Sequence, residues 1–166
     1  SNSDLAERVG GGQPMSHSAE RQIENLLYRY CELIDAGDFE GLAQLFGHAL
    51  HTSSSGHTVS GPKEILDYYS NRTRRFPDTG TPKTRHLTTN VIIEVDEVAG
   101  QATSRSYFTV LQAVAGTLAL QPIVAGRYED RLERYDSEWR FTERRKFIDL
   151  AGDLSEHLIG VPEARR

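Results

Sequence analysis

The chain has 166 residues, a net charge of -5, 37% hydrophobic and 26% charged residues. That is enough chain for one domain with a single sizeable core. The acidic balance argues against general affinity for nucleic acid, no apolar run approaches the ~20 residues of a membrane helix, and the single cysteine, Cys31, excludes an internal disulfide and any multi-cysteine zinc or iron–sulfur site.

The opening stretch, SNSDLAERVGGGQPM, lacks the apolar centre of a signal peptide and reads as a flexible leader over residues 1–17, with Met15 a candidate natural start. Ser18 is a good helix N-cap. Ile23, Leu26, Leu27, Tyr30 and Ile34 then recur at helical spacing until Gly37 stops the helix. Asp38 caps a second, shorter helix with Phe39, Leu42 and Phe46 as its buried stripe. HALHTSSSGHTVSG is polar and β-tolerant, and predicts a small hairpin. GPKEILDYY opens a third helix with Pro62 at its start. After the loop RFPDTGTP the period changes to about two, and four long strands are predicted, over 84–96, 101–115, 118–135 and 138–150.

Helices first and a strand meander afterwards define an α+β class: a strongly curved antiparallel sheet under three N-terminal helices, a cone-shaped barrel enclosing a cavity. One domain over 18–155 and a tail over 156–166 complete the division. The basic clusters Arg72/Arg74/Arg75 and Arg144/Arg145/Lys146 are short and read as local surface.

Three positions carry candidate chemistry. Asp35 ends the first helix, where the helix dipole disfavours a carboxylate; it is either polar turn chemistry or an acid that something compensates. Strand alternation places Thr84, His86, Thr88, Asn90 and Ile92 on one face. That polar face suits either solvent or the mixed lining of a cavity. Arg144 lies on the opposite parity from Trp139 and Phe141, so all three reach one cavity only if a bulge intervenes. His48, His51 and His57 cluster, but no single face orders them and no acid lies between, so no metal site is expected. His17 and His157, in terminal segments, are expected to be exposed.

Taken together, IENLLYRYCELIDAGDFEGLAQLF, GPKEILDYY, TRHLTTNVIIEV and GRYEDRLERYDSEWRFTERRKF resemble the SnoaL-like branch of the nuclear transport factor 2-like superfamily, over about residues 18–150. Within it the chain is similar to hexachlorocyclohexane dehydrochlorinase and scytalone dehydratase. The resemblance implies a cofactor-free lyase or isomerase working through an Asp–His pair. His86 would be the base, Asp35 its partner and Arg144 a stabiliser of the leaving group or a developing enolate; Tyr30, Tyr128 and Asn90 would line the pocket. It also implies a small, largely apolar substrate and a homodimer or homotrimer, and the single cysteine fits a reducing, cytoplasmic location. Ile123, Val124, Phe108 and Val110 are the expected self-association surface. The alternative it carries is a non-catalytic binding or structural module, such as the small subunit of a ring-hydroxylating dioxygenase.

Overall fold

The computed structural model describes residues 17–160, so residues 1–16 of the leader and residues 161–166 of the tail lie outside the described residues. Helix α1 (Ala19–Ala36) begins where the Ser18 hydroxyl accepts from the Arg21 N–H at 3.3 Å. It ends at Gly37, whose φ of 71° is open to glycine at little cost. Asp38 caps α2 (Phe39–Leu45) through the Gly41 N–H at 2.8 Å. Phe39, Leu42 and Phe46 are fully buried, as their spacing predicts. The hairpin β1 (Leu50–Thr52) and β2 (Thr58–Ser60) leads into α3 (Gly61–Arg72). The long strands β3 (Thr84–Asp96), β4 (Gln101–Val114), β5 (Leu118–Tyr135) and β6 (Glu138–Ala151) form the predicted meander.

One six-stranded sheet results, in the order β2-β1-β6-β5-β4-β3. All pairs are antiparallel except β1–β6, which runs parallel over three residues a side. A three-residue strand has no periodicity to announce its partner, which is why the sequence reads as wholly antiparallel. The sheet wraps α1 and α2, and their apolar stripes fill the cone with Phe108, Val110, Ile123, Val124 and Phe141. Phe108, Val110, Ile123 and Val124, expected to mediate self-association, therefore belong to the core of the single chain. The apolar side chains left outside on the sheet include Leu87, Ile92, Tyr107 and Leu120.

Bulges bend the sheet and reassign its faces. On β3 the register shifts between Thr89 and Ile92, and Asn90 adopts a left-handed φ of 53°. Thr84, His86 and Thr88 point into the cone before the bulge; Val91, Ile93 and Val95 pack inward after it. Asn90 itself is exposed. On β6, Glu143 pairs with Arg131 while Phe141 pairs with Leu132, so Thr142 is the extra residue. That bulge turns Arg144 to the same interior as Trp139 and Phe141.

Residues 152–160 do not fray. They lie across the end of α3, with the Arg74 N–H donating to the His157 carbonyl at 2.8 Å and the Ile159 N–H to the Arg72 carbonyl at 2.9 Å. A bridge joins Thr73 to Leu158. Leu154, His157 and Leu158 of this segment line the interior cavity. No helix among the described residues is long and apolar enough to cross a membrane.

Candidate active site

Asp35 sits in the last turn of α1, facing the start of β3. Its carboxylate accepts three hydrogen bonds: from the Thr84 hydroxyl at 2.8 Å, the His86 backbone N–H at 2.8 Å and His86 Nδ1 at 2.6 Å. The two side chains are only 5% and 7% exposed. Burial disfavours the charged carboxyl, but the His86 ring, the His86 N–H and the Thr84 hydroxyl outweigh it, and the pKa of Asp35 is lowered. The cost of an acid at a helix C-terminus is met by this compensation. Because the carboxylate is an acceptor, Nδ1 donates to it, and Nε2 is the ring nitrogen turned away from Asp35 on a side chain that lines the interior cavity.

Arg144 occupies a different layer. It is 1% exposed and forms a two-point pair with Asp130, Nε and NH2 each at 2.8 Å. Its guanidinium stacks over the rings of Tyr128 at 4.0 Å and Tyr30 at 4.7 Å. Burial works against its charge; Asp130 more than restores it. Tyr30 and Tyr128 line the cavity and Arg144 does not. Their hydroxyls are 3.5 Å apart, and burial pushes both pKa values up, so both remain donors. Arg144 therefore stands behind the wall, paired with Asp130 through Nε and NH2, while its buried NH1 has no hydrogen-bond partner. Asn90, turned out by its bulge, takes no part in the lining.

The cavity is small, about 80 Å³, partly open and mostly apolar. Three of its charged or titratable neighbours escape the sequence reading. His157 lines the cavity, 7% exposed, its ring 6.3 Å from that of His86. Burial, then the nearby His86 and Lys146, depress its pKa to about 3. His51, 2% exposed, meets the Tyr69 hydroxyl through Nε2 at 3.1 Å. Burial, then Lys146 and Arg144, lower it to about 3 as well. Lys146, half-buried, lines the wall on the strand of Arg144. The basic triplet is thus not local surface: Arg144 is interior and Lys146 faces the cavity. The depth of burial of His157 was the missed signal, for the terminal stretch carries Leu154 and Leu158 at spacing that packs it inward. Among the described residues no group of three or more His, Cys, Asp or Glu is arranged to hold a metal. His48 and His57 are exposed.

A curved sheet closing over helices, with a carboxylate–imidazole pair at the helix–sheet seam, defines a cone-shaped α+β domain built around an interior site. Residues 15–145 match the model of the SnoaL-like domain, and the chain belongs to that family. Similar solved structures include Rv3472 of Mycobacterium tuberculosis, described as of unknown function: 28% identity, 82% of this chain and 79% of that one covered, TM-score 0.66. LinA is 20% identical over 89% of this chain and 94% of its own, with a TM-score of 0.63. A protein of Novosphingobium aromaticivorans, described as a candidate scytalone dehydratase, is 21% identical over 87% and 90%, with a TM-score of 0.64. The last two show the fold, which is the nuclear transport factor 2-like fold that the sequence resembles. No curated protein matches the chain.

Proposed function

We propose that the protein is a cofactor-free lyase or isomerase in which His86 is the general base and Asp35 its partner. The observation that carries this is the 2.6 Å contact between Asp35 and His86 Nδ1, on a side chain that lines a largely apolar cavity. Nε2 would take a proton from a carbon or hydroxyl of a small, largely apolar ligand. Asp35 would hold the tautomer and stabilise the imidazolium formed. The hydroxyls of Tyr30 and Tyr128, positioned by Arg144, would donate to a developing negative charge. Elimination of water or halide, isomerisation and aldol-type cyclisation all need these parts. Membership of the SnoaL-like family supports this chemistry, as does the likeness of the fold to a described dehydratase.

The test is a substrate screen across dehydration, dehydrohalogenation and isomerisation, followed by His86→Gln and Asp35→Asn on the substrate found. Each variant should lose about 10²–10⁴-fold in kcat with the fold intact by circular dichroism. Unchanged turnover by His86→Gln removes His86 from the mechanism. If no substrate turns over but an apolar ligand binds, the non-catalytic reading gains instead.

A further inference from the structure

The cations on β6 follow a rule with one exception. Arg140 pairs with Glu133 at 2.6 Å, Arg144 with Asp130 at 2.8 Å and Arg145 with Glu129 at 3.5 Å, each reaching a carboxylate on β5. Lys146 stands opposite Tyr128 instead. Among the described residues it makes no hydrogen bond and no ion pair, and no Asp or Glu lines the cavity it faces. The charges nearest to it are cations, Arg144 and Arg72, and the Arg72 guanidinium lies over the Tyr68 ring at 4.8 Å. A half-buried ammonium among cations, with no carboxylate beside it, gains most from an anion brought into the cavity.

We propose that Lys146 is an anion anchor, and that the cavity takes an organic carboxylate: an apolar body held among Val110, Val124, Leu154 and Leu158, with its carboxylate on the Lys146 ammonium. Arg144 is set apart from this role because its Nε and NH2 are held by Asp130 and it does not line the cavity. Hydroxyls of Tyr68 and Thr73 in the same wall supply the polar surroundings a charged head needs. Burial, with Arg144 and Arg72, lowers Lys146 to about 8, the response of a cation that lacks its counter-ion. The proposal narrows the substrate class of the proposed function and rests on the same cavity being its ligand site, but it requires no turnover.

Benzoate and its neutral isostere benzamide are the probes, titrated calorimetrically into the wild type and into the Lys146→Met, Lys146→Arg and His86→Gln variants. The expected result is benzoate binding at least about tenfold tighter than benzamide in the wild type, about 1.4 kcal/mol. Lys146→Met abolishes that preference, while Lys146→Arg and His86→Gln keep it. Removing an unpaired buried charge should not unfold the chain, and thermal melts check that Lys146→Met is native. Equal binding of the two probes, no binding of benzoate at millimolar concentration, or a preference that survives in folded Lys146→Met overturns the anchor. Loss of activity in His86→Gln with no effect of Lys146→Met on benzoate leaves the base in place and removes only the anchor. The reverse pattern removes the base and leaves a carboxylate-binding site.

Discussion

At the scale of single residues, the most consequential pair is Arg144–Asp130, buried at 1% and 2% exposure. Arg144→Leu alone strands the Asp130 carboxylate in the core and should cost about 3–5 kcal/mol in urea denaturation. The double variant Arg144→Leu/Asp130→Leu removes both charges and should recover most of that loss. Additive losses would show that the two side chains act separately. The positions of Asp35 and His86 on regular elements were legible, but alternation left the face of His86 open, and the resemblance rather than the period brought Asp35, His86, Tyr30 and Tyr128 together. The pairing of Arg144 was not legible, since its partner Asp130 lies on another strand and spacing along one strand says nothing of it. Lys146 was hidden by the same effect. Three adjacent cations look like a solvated edge until a bulge at Thr142 turns two of them inward.

At the scale of elements, the fold was readable nearly residue by residue in the helices and the four long strands, because their periods are sustained. What failed was local: bulges, a three-residue strand and an aperiodic end. Asn90 shows why. A single left-handed residue reverses every face after it, and no pattern of apolar residues announces it in advance. Its backbone need predicts that Asn90→Gly is tolerated, whereas Asn90→Ala costs about 1 kcal/mol with activity unchanged. A pocket role would give the opposite, a loss of activity in both. Gly126 on β5 is a second such point. A Cβ there would meet the Phe147 carbonyl and come within 2.9 Å of the Phe108 ring. Backbone on one side and a packed ring on the other leave no room to give. Gly126→Ala should cost about 1–3 kcal/mol, read as a lowered urea midpoint with an unaltered slope.

At the scale of the whole molecule, the buried histidines set the response to acid. His51 and His157 have folded-state pKa values near 3, below the ordinary imidazole value of 6.5. Between those limits the unfolded chain binds protons that the folded chain refuses. Stability therefore falls as pH drops from about 6.5 towards 3, by about 1.4 kcal/mol per pH unit for each ring. His51→Gln and His157→Gln should each flatten that slope by one proton, measured by urea denaturation across the window. Asp35 adds to the loss only lower down, where its depressed pKa is passed. A dimer or trimer remains the expected assembly, and light scattering that returns a monomer at micromolar concentration would refute it. The stretch from 152 to 160 has a further consequence. It is bound to α3 by backbone hydrogen bonds and carries His157, Leu154 and Leu158 in the cavity wall. Trimming the chain at 152 should therefore remove part of the cavity wall and leave the Asp35–His86 contact intact.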